Sequence, residues 1–94
     1  MKTDTRIIAE NIKSECGFEF LYRLSVSETV YDEGKYPSYS VYASIKNDSD
    51  GYYDEVTVCN LTSIENVALD FFRLISEGTA TPMTLIDIAE DYIP

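Results

Sequence analysis

Residues 62–78, TSIENVALDFFRLISEG, constrain the fold most, because they alone carry both a helix start signal and a helix stop signal. Thr62 is placed to act as N-cap, and Glu65 three residues later completes a capping box. Gly78 is the left-handed residue that commonly closes a helix. The strand-rich region before this segment is the only partner that can bury its apolar stripe. The stripe consists of Ile64, Val67, Ala68, Phe71, Leu74 and Ile75.

The region before this helix alternates apolar and polar residues with the period of two that half-buried strands show. The alternation covers residues 18–26, 39–45 and 52–59. We expect the strand that begins at Phe18 to continue through Val30. Residues 5–13 have no clean period, and we favour a strand there because residues 15–17 resemble a turn. Residues 32–35 and 47–51 predict two further turns. Pro37 is expected at the start of the strand that follows the first of these.

A second helix is predicted near the end of the sequence. Thr81 is placed as its N-cap, and Pro82 occupies the first helical position, where a missing N–H is tolerated. Three carboxylates, Asp87, Glu90 and Asp91, share one face. The opposite, apolar face consists of Leu85, Ile86, Ala89, Tyr92 and Ile93.

Strands followed by helices predict an α+β fold. We expect a three- to four-stranded antiparallel sheet packed on two C-terminal helices as a two-layer sandwich. The length of 94 residues fits one domain over residues 1–94.

Charge is distributed unevenly along the chain, whose formal net charge is −10. Residues 1–46 contain six basic and seven acidic residues, whereas residues 47–94 contain only Arg73 against ten acids. Nucleic acid is therefore not an expected ligand, since its binding depends on Lys and Arg at the phosphates. The expected partner is the basic surface of another protein.

The chain contains no histidine and two cysteines, Cys16 and Cys59, without a CxxC motif. This excludes zinc sites built from Cys and His within one chain, and it excludes Ser-His-Asp and Cys-His catalysis. We expect the cysteines to be reduced, partly buried thiols of a cytoplasmic protein. We find no secretory leader and no apolar run of membrane-spanning length, so we expect neither secretion nor membrane insertion.

Neither a metal site nor a cofactor is predicted. The stretch from Asp48 to Glu55 is reminiscent of a calcium loop, but Tyr53 stands where that loop requires glycine and Cys59 stands where it requires the closing glutamate. Turn chemistry explains the stretch better. The carboxylates of the second helix could bind a cation, but three oxygen ligands without neighbours are too few. A solvated helix face or a contact with a partner is the better explanation.

Five tyrosines cluster in or beside two paired strands and their turns, namely Tyr36, Tyr39, Tyr42, Tyr52 and Tyr53. Tyr42 shares a strand face with Ser40 and Ser44, so we expect it to point away from the helices. Exposed tyrosine beside carboxylates suits an arginine-rich partner, although the same rings can simply cover the outer face of the sheet. The candidate partner-binding residues are Asp48, Asp50, Asp54, Glu55, Asp87, Glu90, Asp91, Tyr42, Tyr52 and Tyr53.

The block from Tyr39 to the end of the sequence resembles a known family. The shared features are Tyr39-Ser40-Val41 after a hairpin, a helix ending near Ile75, and the tail TPMTLIDIAEDYI from residue 81. They are similar to an uncharacterised family of small acidic proteins from clostridial-type Gram-positive bacteria. The family tends to have histidine where this chain has Thr84, so an activity that depends on that histidine would be missing here. The resemblance implies the fold and assigns no reaction.

Three functional hypotheses follow from these features. The first is a non-enzymatic inhibitor that occupies a basic surface of a larger protein, in its sharpest form a nucleic-acid mimic similar in size and charge to anti-CRISPR proteins. The second is a housekeeping homodimer that pairs through a strand edge or through surplus apolar surface on Leu69, Phe72 and Ile88. The third is a small cation or ligand binder, which would show a melting shift with Ca²⁺ or Mg²⁺. Catalytic residues are not predicted.

Overall fold

The computed structural model describes residues 2–92, in which four strands precede two helices. Each strand pairs antiparallel with the next, so the sheet order is β1-β2-β3-β4. This confirms the predicted α+β architecture with four strands, and residues 5–13 lie in a strand as favoured. The elements are β1 Lys2–Glu15, β2 Phe18–Tyr31, β3 Gly34–Asn47, β4 Tyr52–Thr62, α1 Glu65–Glu77 and α2 Pro82–Tyr92.

Short turns set the register of the sheet. Cys16 and Gly17 both have positive φ, of 53° and 83°, as a two-residue type I′ hairpin turn requires. In the turn between β3 and β4, the Gly51 N–H donates to the Asn47 carbonyl at 3.0 Å. Because these connections are so short, each strand has little freedom to slip against its neighbour. All three predicted turns are confirmed.

Pro37 is the fourth residue of β3 and lies opposite Glu28, so the prediction that it starts the strand is wrong. Strand β3 pairs with β4 only from Tyr39 onward. Pro37 therefore lies beyond the paired part of β4, where its missing N–H interrupts no ladder on that side.

The strand alternation separates the two faces of the sheet. The face towards the helices is apolar and buried, and with Phe71, Ile75 and Leu85 it makes the core. The other face, which we call the outer face, includes Tyr42 as predicted and is mostly serine, threonine and charged residues. The strand residues of the core are Phe20, Tyr22, Leu24, Val26, Tyr39, Val41, Ala43 and Ile45.

The start of α1 differs from the prediction. The helix begins at Glu65, with Ile64 extended at the N-cap position and no side-chain cap. Thr62 is still paired with Tyr39 in the sheet, so the chain cannot turn into a helix there. The Thr62 hydroxyl instead accepts the Ile64 N–H at 3.1 Å. The predicted capping box is therefore wrong.

The end of α1 also differs. Gly78 is helical, with a φ of −81°, and the left-handed residue is Thr79, with a φ of 54°. The Ala80 N–H donates to the Ile75 carbonyl at 2.9 Å, which makes this a Schellman motif with threonine in place of the usual glycine. Lys13 of β1 holds the strained residue, since its Nζ donates to Thr79 Oγ1 at 3.0 Å.

Lys13 also stabilises the last turn of α1. Its Nζ donates to the Ser76 carbonyl at 2.7 Å. A cation at a helix C-terminus satisfies free carbonyls and opposes the helix dipole. Since α1 has no basic residue in its own last turn, this contact replaces the capping that the sequence of the helix lacks.

The buried stripe of α1 is rotated from the predicted one. Ala68, Phe71 and Ile75 are buried as expected, but Ile64 is 57% exposed and Leu74 is 49% exposed. Leu69 and Phe72 of α1 and Ile88 of α2 pack partly buried against the core, so they are not the surplus apolar surface that was expected. The reason is that α1 packs mainly on β2 and α2 mainly on β4. Each helix therefore buries the arc that faces the sheet and leaves a flank open.

Helix α2 begins as predicted. Thr84 Oγ1 accepts the Thr81 N–H at 3.2 Å, and the Leu85 N–H donates to the Thr81 carbonyl at 3.1 Å. Leu85 and Ala89 are buried, but Ile86 is exposed, contrary to the prediction. The predicted contributions of the Tyr92 side chain and of Ile93 lie outside the described residues.

Tyr22 ties the sheet to the connection between the helices. Its side chain is fully buried, and its hydroxyl donates to the Ala80 carbonyl at 2.6 Å. Burial, with a smaller contribution from the carboxylate of Glu15, raises the pKa of Tyr22 to about 12. The folded state therefore holds the phenolic proton at pH values where the unfolded chain, with a pKa near 10, has released it.

We predict that Tyr22→Phe lowers the free energy of unfolding by about 1–3 kcal/mol at pH 7, because it leaves the buried Ala80 carbonyl without its donor. In the natural protein, Tyr22 contributes stability that is complete below pH 10 and is lost as the pH rises towards 12, at about 1.4 kcal/mol per pH unit. Urea unfolding of both proteins from pH 7 to pH 12 measures this. An equally steep loss in both proteins above pH 10 would contradict the assignment.

Candidate functional site

The ion pairs of the described residues all join neighbouring strands among β1, β2 and β3, and all use acids from the first half of the chain. They are Arg23–Glu10 at 2.7 Å, Lys46–Glu19 at 3.6 Å and Arg6–Glu28 at 3.7 Å. Among the side chains that the structure describes, none of the ten acids that follow Lys46 has an ion-pair partner. The described lysines and arginines therefore do not neutralise the acidic half of the sequence.

The carboxylates of α2 divide between two flanks of that helix. Asp87 and Asp91 line a groove between α1 and α2, which we call the interhelical groove. Its volume is about 670 Å³, and its apolar lining includes Leu74 and Ile88. Glu90 lies on the other flank, in a shallower groove against β4. The predicted set is thus on one helix but does not form a single cluster.

A second group of predicted residues lies on the outer face of the sheet. Tyr42 and Tyr53 both donate to Glu55 Oε2, at 2.5 Å and 2.8 Å, and their hydroxyl oxygens are 3.1 Å apart. The guanidinium of Arg23 lies over the Tyr42 ring at 5.7 Å from its centroid and donates through Nε to Glu10 at 2.7 Å. Sequence alternation places Tyr53 and Glu55 on one face, but it cannot show that they share this contact with Tyr42.

The hydrogen bonds of this tyrosine cluster, Tyr42, Tyr53 and Glu55, shift its acid–base behaviour. The bond with Tyr42, and then the bond with Glu55, raises the pKa of Tyr53 above its ordinary value. The same two hydroxyls stabilise the charged form of Glu55 and lower its pKa. Glu55 is therefore ionised at neutral pH and already accepts two hydrogen bonds, which leaves it less available to a partner than the acids of α2.

The remaining predicted residues lie elsewhere and serve local structure. Asp50 Oδ1 accepts the Tyr52 N–H and Asp54 Oδ1 accepts the Glu55 N–H, both at 2.9 Å. Tyr52 alternates with Tyr53, so it faces the helix side of the sheet, and its ring meets the ring of Phe18 edge-on at 6.3 Å. Asp48 is an exposed residue of the turn. The ten candidates are thus distributed over α2, the outer face, the helix side of β4 and the turn that precedes β4.

Both cysteines are free and exposed, so the prediction of partial burial is wrong. Cys16 occupies the tip of the first hairpin, and Cys59 lies on the edge strand β4, so neither position is covered by another element.

Within the described part of the chain, no group of three or more His, Cys, Asp or Glu side chains is arranged to hold a metal ion. Neither helix described by the structure has the length and apolar character needed to cross a lipid bilayer.

Comparison with known families identifies the chain over nearly its whole length. A model described as a family of unknown function, DUF6514, matches residues 3–94. The chain belongs to the DUF6514 family. The expected resemblance to an uncharacterised family is thereby confirmed, and the DUF6514 match also covers β1 and β2, which the expected resemblance did not include. No curated protein and no solved structure matches the chain.

Proposed function

We propose that this DUF6514 protein is a non-enzymatic binding module that presents α2 and the interhelical groove to a basic surface of a larger protein. The observation that carries the proposal is the charge layout of the described residues. The two helices hold six carboxylates and a single basic residue, Arg73, while the other cations lie in the sheet.

The acids of α2 are poorly placed for folding alone. Glu90 and Asp91 lie in its last turn, where the helix dipole disfavours negative charge by roughly 0.3–1 kcal/mol for each group. No basic residue stands in the last turn to compensate. A cationic partner would remove this penalty and would be attracted at long range by the net charge. The apolar lining of the interhelical groove offers the desolvated area that holds such a complex together.

The more specific form of the proposal is a nucleic-acid mimic. In that form the carboxylates take the positions of phosphates and block a nucleic-acid-binding surface, as in anti-CRISPR-like inhibitors, and the protein itself binds no nucleic acid. The proposal includes a cytoplasmic location in clostridial-type bacteria, since exposed free thiols suit a reducing compartment.

We predict that Asp87→Lys, Glu90→Lys and Asp91→Lys together abolish capture of the partner while the protein remains folded, because all three carboxylates are exposed. The measurement is affinity capture from host lysate, with the captured proteins identified by mass spectrometry. The matched control carries the same charge change at exposed positions remote from α2, as Asp4→Lys, Asp32→Lys and Glu33→Lys. The proposal requires that the natural protein and the control variant both capture the same basic protein, and that the α2 variant does not. Equal capture by both variants would contradict it.

A homodimer is the second candidate, favoured by the open edge of β1. This strand is 14 residues long and pairs only with β2 among the described residues. Its outer-face residues Ile7 and Ile12 are 58% and 61% exposed. Such an edge can add a strand from a second copy. Light scattering at low and high salt distinguishes the candidates, because edge pairing predicts a dimer whose mass does not depend on salt. A monomer under both conditions would exclude it.

A further inference from the structure

The interhelical groove combines apolar lining with two exposed carboxylates. Leu74 of α1 and Ile88 of α2 line it from either side, and Ala80 of the connection between the helices lines it as well. Leu74 is 49% exposed, so its apolar surface is largely open to solvent. Asp87 and Asp91 lie one helical turn apart along the same groove. A ligand that uses the whole groove therefore combines apolar surface with positive charge.

One positive charge borders the groove, and it is already engaged. Lys13 Nζ donates to the Ser76 carbonyl at 2.7 Å and to Thr79 Oγ1 at 3.0 Å, and Thr79 lines the groove. The same threonine hydroxyl donates to Glu15 Oε2 at 3.3 Å. A carboxylate therefore stands beside this ammonium and offsets its charge.

The basic residue of the helix layer is outnumbered as well. Arg73 precedes Leu74 in α1, whereas Asp70 and Glu77 lie about one turn before and after Leu74. Among the described side chains, the carboxylates of both helices have no ion-pair partner. The charge around the groove is therefore negative, and charge complementarity favours a cationic occupant.

The mixed lining of the groove suits a basic side chain better than a metal ion. A hard metal ion takes about six or more oxygen ligands, and Leu74 and Ile88 offer none. Lysine and arginine carry their charge at the end of an apolar stem. They can therefore contact the apolar lining and the carboxylates at the same time.

The backbone that borders the groove is already hydrogen-bonded. The Ala80 N–H donates to the Ile75 carbonyl at 2.9 Å, and the Ala80 carbonyl accepts the Tyr22 hydroxyl at 2.6 Å. The Thr81 N–H donates to Thr84 Oγ1 at 3.2 Å, and the Thr81 carbonyl accepts N–H groups of the first turn of α2. An extended peptide needs backbone partners and finds none at these two residues. A helix satisfies its own backbone, so it suits the groove better.

Resting on the proposed function, we propose that the interhelical groove binds an amphipathic helix of the partner that carries two basic residues one turn apart beside an apolar stripe. Asp87 and Asp91 are separated by about 6 Å along the axis of α2, which is also the spacing of basic residues at positions i and i+4 of the partner helix. The apolar stripe packs on Leu74 and Ile88. The partner surface is thereby narrowed to a single helix.

The test is an NMR titration of the ¹⁵N-labelled protein with a capped, alanine-rich peptide of about 18 residues, which is long enough to form a helix. The peptide carries a leucine stripe and two arginines at i and i+4 beside it. A comparison peptide has the same composition, with the arginines opposite the leucines. We expect saturable amide shifts around Leu74 and Asp87, with a Kd below about 1 mM for the first peptide and affinity about ten-fold or more weaker for the second.

Three results would overturn the proposal. They are equal affinity for the two peptides, shifts centred away from the groove, and shifts at the groove that appear without peptide when the protein concentration is raised. The last result would show that a second copy of this chain fills the groove.

Matched variants make the titration specific. Leu74→Ala should weaken peptide binding by about five-fold or more, because it removes apolar contact area. Ile86→Ala is its control and should not weaken binding, since Ile86 is 47% exposed but lies on the other flank of α2. Equal weakening by the two variants would refute docking in the groove.

The charges are tested in the same way. Asp87→Asn with Asp91→Asn should weaken binding by about ten-fold, since both charge-assisted contacts are lost. Asp32→Asn with Glu33→Gln removes the same charge from the exposed turn between β2 and β3 and should have little effect. An equal effect of the two pairs would mean that only net charge matters and would contradict the proposal.

Lysate capture with Leu74→Ala separates this proposal from the proposed function. If Leu74→Ala captures the same basic protein as the natural protein, while the α2 lysine variant loses it, only helix docking in the groove is refuted. If the natural protein captures no basic protein, the proposed function fails, and this proposal fails with it.

Discussion

The basic residues of the chain lie in the sheet, whereas the helix layer carries carboxylates and a single basic residue, Arg73. This separation of charge is the constraint on which the rest of the structure depends. The chain folds as a meander followed by two helices, so its first half becomes β1 to β3 and its second half becomes β4 and the helix layer. Six of the seven basic residues belong to the first half, and three of them form cross-strand pairs there. Lys13 reaches the helix layer, but it is occupied at the end of α1. The carboxylates of α2 are therefore left to solvent or to a partner.

Features encoded by local residues could be predicted from the sequence. Alternation at Phe20, Tyr22 and Leu24 identified the buried face of β2, and Cys16-Gly17 identified a hairpin turn because glycine accepts positive φ. Thr81 and Pro82 likewise identified the start of α2. Each of these features is determined by residues that lie within a few positions of one another in the sequence, so it can be inferred without knowledge of the tertiary structure.

Features that depend on tertiary contacts could not be predicted. The end of α1 uses Thr79 because Lys13, 66 residues away, holds it. The rotated stripe that exposes Leu74 follows from where each helix lies on the sheet. At the candidate site, the residue types were predicted but their grouping was not. Asp87 and Glu90 separate onto two flanks of α2, and Tyr42 meets Tyr53 only through the register of β3 and β4.

The claim that the carboxylates of α2 are unpaired is tested most directly with two triple variants, in each of which three carboxylates are replaced by neutral amides. The free energy of unfolding of each variant is compared with that of the natural protein at low and high salt. One carries Asp87→Asn, Glu90→Gln and Asp91→Asn, and the control carries Glu10→Gln, Glu19→Gln and Glu28→Gln, which removes the ion-paired acids of the sheet. Unpaired charge at a helix C-terminus predicts that the first set raises the free energy of unfolding by about 1 kcal/mol at low salt. It also predicts that this gain shrinks in high salt, while the control set gives no gain. Loss of stability in the first set, or an equal response from both, would contradict the account.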